Sequence, residues 1–195
     1  MSRYIIDINK LKENIEWIQK KAVKAAFCGL SAALSAALLF AGSILYIFSY
    51  AVPMLLGLVI FMINKTFGRG YAAYVYIAVS LLSLLFVPEK ETVMMYALFF
   101  GYYPIVKPFI EKIRMKFIRV ILKFILFNAS VATIELICVY VFGIPFFENG
   151  TFSSAMLIFF SVAMNIAVIM YELLLKSFTV LYEKRIEGRI KNLLK

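Results

Sequence analysis

Between Lys24 and Lys65 the chain runs for forty residues without one formal charge. As a single helix this stretch would be about 60 Å long, about twice the hydrocarbon thickness of a bilayer. It therefore has to turn back and cross twice. The break falls where Gly42, Ser43, Ser49, Tyr50 and Pro53 interrupt the run, and Pro53 suits the first turn of a second helix. The first helix is expected over 22–42 and the second over 52–63.

The remaining spans follow by the same logic. A polar, glycine-rich turn from Asn64 to Gly70 leads to a third helix at 71–87, closed by Pro88, Glu89, Lys90 and Glu91. A short fourth helix occupies 92–106, with Pro104 and Pro108 expected to distort its inner end. A basic loop precedes a fifth helix at 117–142, Gly143 and Pro145 end it, and a sixth runs over 153–176. Composition agrees: 64% of the 195 residues are hydrophobic, against roughly 45–50% in soluble domains. The excess has to face lipid. The fold class expected is an all-α, polytopic membrane protein with six transmembrane helices.

The net charge of +10 would suit nucleic acid if it were spread over one face. Instead the cations cluster between the apolar runs. Arg3, Lys10, Lys12, Lys20, Lys21 and Lys24 precede helix 1, Lys65 and Arg69 follow helix 2, Lys107 to Lys123 follow helix 4, and Lys176 to Lys195 end the chain. Six crossings with the N-terminus inside put every basic residue but Lys90 on the cytoplasmic side, as the positive-inside rule requires. Making either short segment re-entrant would expel the next basic loop. The expected location is the cell membrane, multi-pass, with both termini cytoplasmic and no nucleic-acid partner.

Three parts are expected: an amphipathic cytoplasmic segment at 1–21, the transmembrane domain at 22–180, and a basic tail at 181–195. In the first, Ile8, Leu11, Ile15 and Ile18 form one stripe, suited to the inner membrane surface or to a partner protein. The apolar run starts too late and is too long for a cleavable signal. Tyr182, Ile186, Ile190 and Leu193 suggest that helix 6 continues past the membrane.

The chemical inventory is small. There is no His, a single Asp (Asp7) and two Cys. This excludes a His-based nucleophile pair and a zinc site of the usual kind. Cys28 and Cys138 belong near opposite faces, so no disulfide joins them. No enzyme, no cofactor and no metal is expected. Glu135 stands out, because an acid inside helix 5 costs several kcal/mol unless paired or protonated. Asn128 shares its face. Ser161 and Asn165 share a face of helix 6 at similar depth, and Tyr96 lies in the outer half of helix 4. Together they suggest a polar cleft that opens outward and binds a small molecule, or else hydrogen bonds that only fix packing. Glu172 is expected to form an internal ion pair with Arg119 or Lys123.

Helix 1 carries Gly29, Ala32, Ala33, Ala36 and Ala37, small residues that let another helix approach closely. That helix could belong to this chain or to a separate subunit. The repeated pattern in Ala32-Ala-Leu-Ser-Ala36 and Ala33-Leu-Ser-Ala-Ala37, within Phe27-Cys-Gly-Leu-Ser-Ala-Ala-Leu34, resembles the first helix of S components, the substrate-binding subunits of energy-coupling factor transporters. The six short helices and the segment from Leu98 to Lys107 also resemble bacterial membrane proteins of that type. The resemblance implies that helix 1 meets a transmembrane T subunit. It also implies a vitamin-like ligand in the outer half, near Glu135, Asn165 and Tyr96, and partner ATPase subunits. The chain itself has no phosphate-binding loop. The absence of His separates it from the metal-ion members. A membrane scaffold or regulator without transport is the alternative.

Overall fold

The computed structural model describes the backbone of residues 2–45, 48–143 and 154–186, and the side chains of residues 19, 21–45, 48–143 and 162–184. These residues form an all-α bundle: α1 (Ser2–Ile44), α2 (Ala51–Phe67), α3 (Arg69–Phe86), α4 (Lys90–Met95), α5 (Tyr103–Ile110), α6 (Lys116–Tyr140) and α7 (Ser154–Leu181). A wide π-helical turn, Tyr96–Phe100, joins α4 to α5, so these two pieces act as one broken helix and the described helices number six. Five are long and apolar enough to cross a membrane: Lys21–Ile44, Arg69–Phe86, Lys90–Ile110, Lys116–Tyr140 and Val162–Lys184. The chain is a multi-pass membrane protein by length and composition. The sixth, α2, is apolar but shorter, at 17 residues, or about 26 Å.

Several boundaries move outward from those the sequence suggests, because side-chain oxygens and amides satisfy the polar positions. Thr66 Oγ1 donates to its own helix at Met62 O (2.7 Å), so α2 runs on to Phe67. There Gly68 reverses the chain at φ 94°, in the left-handed region that glycine adopts without strain. At the other end α1 is continuous from Ser2, joining the expected surface segment 1–21 to the first span as one helix. The side chains of the 1–18 stripe and the tail 187–195 lie outside the described residues. Tyr182 falls inside them and is buried, with its hydroxyl 2.6 Å from Thr66 Oγ1.

The broken helix is the central post of the bundle. Across the apolar stretch of its span 61% of residues are buried, against 17% in that of α6 and 22% in that of α3. One side of it, Val93 and Tyr96, packs with α1, α2 and α3 around Leu39, Leu56, Ile60 and Val79. The other, Met95, Phe99, Phe100 and Tyr103, packs with α6 and α7 around Phe127, Ile134, Tyr171 and Leu175. Phe99 lies at the centre of this second core, stacked on Tyr103 at 5.1 Å and edge-on to Phe127 at 4.9 Å.

Proline explains why the post is broken, and the break explains much of the polar content elsewhere. Pro104 has no N–H, so the carbonyl four residues back, Phe100 O, loses its helical donor. Tyr171 of α7 donates to it instead, at 3.2 Å. Pro108 likewise frees Pro104 O, which accepts from Asn64 of α2 at 3.1 Å. In the π turn Gly101 N–H reaches back to Tyr96 O (2.7 Å), bypassing Ala97 O, and Tyr76 of α3 donates to that carbonyl at 2.7 Å. No water in the hydrocarbon could serve these groups. Three helices therefore each supply one polar side chain to the post. The expected distortion is present, but it extends back to residue 96, well before the two prolines.

Candidate ligand-binding site

Between α2, the π turn, α6 and α7 lies a cavity of about 220 Å³. Met54, Met95, Phe99, Phe100, Val131 and Met164 are among the side chains that wall it, and among the described residues no charged side chain lines it. Phe127 of α6 and Ala163 and Ala167 of α7 also face it. The residues next in sequence close the outside of this seam. Asn128 Nδ2 donates to Asn165 Oδ1 at 3.2 Å, and Asn165 Nδ2 returns to Asn128 Oδ1 at 3.4 Å. Asn128 also donates to Phe124 O at 2.8 Å. The two asparagines are brought together, as their depths suggest, but neither lines the cavity. Their amides are engaged with one another and with the helix. The side chain of Ser161 lies outside the described residues.

Tyr50 also lines the cavity and joins it to the end of the bundle where α3 meets α4. Its hydroxyl donates to Glu91 Oε1 at 2.8 Å. Beside it, Glu89 Oε2 accepts from Ser49 (2.7 Å) and Thr92 (2.8 Å). Much of the Tyr50 ring is exposed. Even so, desolvation and then the charge of Glu91 push its ionisation above the ordinary tyrosine range, with Glu89 and Glu135 adding to the effect. Three carboxylates thus act on one phenol, and Glu91 touches it. The nearby cation, Lys90, is turned away and donates to Leu84 O (2.9 Å) and Val87 O (2.8 Å) at the end of α3. Cations favour such helix ends. Among the described residues none of the three acids has an ion-pair partner.

Glu135 follows Ile134, which lines the cavity, and is half-buried. It makes no hydrogen bond or ion pair among the described residues. Tyr96 is elsewhere. It is completely buried in the first core, beside Tyr76 with ring centroids 6.2 Å apart, and its hydroxyl has no partner among the described residues. The expected polar cleft thus resolves into an apolar cavity whose lining Tyr50 is bonded to Glu91, an amide clasp on its outer seam, and a tyrosine that lies apart.

A second polar centre sits at the opposite, basic end. Glu172 of α7 accepts from the Tyr103 hydroxyl and pairs with Lys123 (3.0 Å) and Lys107 (3.1 Å). Glu111 stands 3.8 Å from Lys107 and 3.9 Å from Lys123. The expected partner Lys123 is present. Arg119 is not, because it donates to Ile113 O at 3.0 Å and so closes the loop before α6. Sequence reading misses Lys107, placed with the loop cations although only 4% exposed. Its Tyr103 and Glu111 neighbours, one turn either side, were the available signal.

The small residues of α1 divide. Ala32 is buried and Ala36 half-buried, whereas Gly29, Ala33 and Ala37 are exposed on one face. A methyl group added at Gly29 would meet nothing within 4 Å. α1 packs chiefly on α3 with its other side, through Cys28, Ala32, Ser35 and Leu39.

Comparison with protein-family models, curated proteins and solved structures finds no match for this chain. The class of protein rests on its own geometry: a multi-pass helical membrane protein with a broken central helix beside an apolar cavity.

Proposed function

We propose that this chain is the membrane-embedded, substrate-binding subunit of a small-molecule importer of the energy-coupling factor type. In this reading it is oriented with both termini inside and driven by partner ATPase and T subunits. The observation that carries it is the cavity with its unpaired acids. The walls accept an apolar body, and Glu91, bonded to the lining Tyr50, and Glu135, next in sequence to the lining Ile134, would favour a cationic or strongly hydrogen-bond-donating end. Specific ligand sites are mostly apolar pockets with a few placed polar groups. A π turn beside such a pocket supports the reading, since these turns recur at functional sites. The Gly29, Ala33 and Ala37 face, left open by the bundle, is the surface on which a T subunit would dock.

The test has two readouts. Purified gently from its native membrane, the chain should bring ATPase and T subunits with it, and Ala33→Leu with Ala37→Leu should release them while the chain stays inserted. A fluorescent lipophilic amine should bind the purified protein and lose binding when Ala167→Phe fills the cavity. No co-purifying ATPase, with amine binding indifferent to Ala167→Phe, would sink the reading. Orientation is checked by cysteine labelling from outside. Labels should reach positions 89 and 149 but not 69, 112 or 191.

One observation favours a scaffold without transport. α1 spans 43 residues, or about 65 Å, so roughly half of it projects beyond a bilayer of about 30 Å and could hold a soluble partner. Deleting residues 2–18 separates the two readings. A scaffold loses its partner, whereas amine binding in the cavity persists.

A further inference from the structure

At the basic end a second cavity, of about 330 Å³, opens between α2, α5 and α7. Lys65, Lys107 and Lys176 line it, with Glu111 the single carboxylate in its wall. The three ammonium groups differ in what they already hold. Lys65 stands 3.7 Å from Glu183, an exposed and loose pair. Lys176 has no hydrogen bond or ion pair among the described residues. Lys107 is the informative one. It is buried, an ammonium carries three N–H donors, and among the described residues only Glu172 Oε2, at 3.1 Å, lies within hydrogen-bond distance. Glu111 at 3.8 Å is too far to accept. Two donors of a buried cation therefore have no acceptor among the described residues, in the wall of a cavity large enough to hold one. Leaving such donors unmet is costly.

We propose that this cavity binds a phosphate group, with Lys107 donating from its floor and Lys65 and Lys176 closing on it from the rim. Tetrahedral oxyanions suit converging lysines, which act as point charges with free choice of direction. Glu111 and Glu183 oppose a second negative charge, so a singly charged phosphodiester fits better than a dianion. Such a group can come from an anionic lipid headgroup, for which basic pockets between helices are suited, or from a soluble phosphate ester. The site is separate from the apolar cavity and stands whether or not the protein transports anything.

The experiment is native mass spectrometry of the intact chain in detergent, with added phosphatidylglycerol or phosphatidylcholine, beside thermal unfolding with inorganic phosphate against chloride at matched ionic strength. Lys65→Gln and Lys176→Gln lie at the rim and spare the Glu172 network. Each should weaken phosphatidylglycerol binding about fivefold, whereas Arg114→Gln with Lys116→Gln, cations at the same end outside the cavity, should not. Retention of phosphatidylglycerol over phosphatidylcholine with no response to phosphate assigns the site to lipid. Stabilisation by phosphate that the rim variants abolish assigns it to a soluble ester. Equal retention of both lipids with no phosphate effect, or equal losses in rim and control variants, overturns the proposal.

Discussion

Glu172 and Glu135 both lie inside long spans of this protein, and they are opposites. Glu172 sits among Lys107, Lys123 and Tyr103, with both carboxylate oxygens engaged. Glu135 is half-buried and close enough to Glu91 to feel its charge, and among the described residues no cation pairs with either. An intramembrane acid carries a large desolvation cost in either place. At Glu172 the fold offsets that cost with its own groups, tying α5, α6 and α7 together. At Glu135 nothing among the described residues does so, and the group follows directly on Ile134 in the cavity wall. A satisfied charge explains architecture, and an unsatisfied one beside a cavity calls for something from outside. The same contrast runs through the asparagines. Asn64 caps a proline-freed carbonyl and belongs to the architecture, and the Asn128 and Asn165 clasp holds a seam.

The comparison breaks most readily at Glu172. Glu172→Leu strands Lys107 in a buried site, and the chain should lose about 3–5 kcal/mol of stability, read as thermal unfolding in detergent. Glu172→Leu combined with Lys107→Met should recover part of that loss, because the most buried stranded charge is gone while Lys123 keeps its looser contact with Glu111. A single variant as stable as the parent would mean that water reaches the network, and the contrast with Glu135 would vanish.

Next in size is the neighbouring support of the broken helix. A methyl group at Gly57 would run into the Tyr171 hydroxyl and lie 2.7 Å from Phe100 O. Gly57→Ala should therefore cost about 1–3 kcal/mol through overpacking. Tyr171→Phe keeps the packing but leaves Phe100 O without its donor, and should cost about 1 kcal/mol. If Tyr171→Phe proved neutral, the π turn would not need this cap, and the account of the post as proline damage repaired by its neighbours would fail at that position.

How much of this was legible beforehand follows from the kinds of signal involved. Charge-free runs and basic loops give the number and order of the helices, because hydropathy acts residue by residue. The Glu172 and Lys123 pair is also readable, since depth along two helices can be counted. Lys107 is not, because counting depth says nothing about rotation, and its side chain turns inward from what reads as a loop. The π turn is equally hidden: prolines at 104 and 108 announce a defect, but its reach back to Tyr96 depends on Tyr76 and Tyr171 being positioned by other helices. The reading of Tyr96 as pocket lining depended on the same missing rotation. Glu135 is conspicuous by type and depth alone. Which residues wall the cavity beside it is a matter of packing, and an apolar wall resembles an apolar core in any sequence.

The smallest effect on stability, and the one that decides between the two glutamates, is expected at Glu135 itself. Glu135→Gln keeps the shape of the side chain and most of its hydrogen-bonding capacity while removing the charge. No cation in the described residues loses a partner, and the repulsion from Glu91 is relieved, so unfolding in detergent should be unchanged or shift slightly upward. Binding of a lipophilic amine should behave differently. A hydrogen bond to a charged group contributes about 1.5–3 kcal/mol, so affinity should fall by about tenfold or more, with the apolar share of binding left to the cavity walls. A neutral probe of the same shape should bind parent and variant alike. Lower stability in Glu135→Gln would reveal a structural partner and make this acid a second Glu172. Unchanged stability with undiminished amine binding would remove Glu135 from the site and leave the cavity as an apolar pocket without a charge requirement.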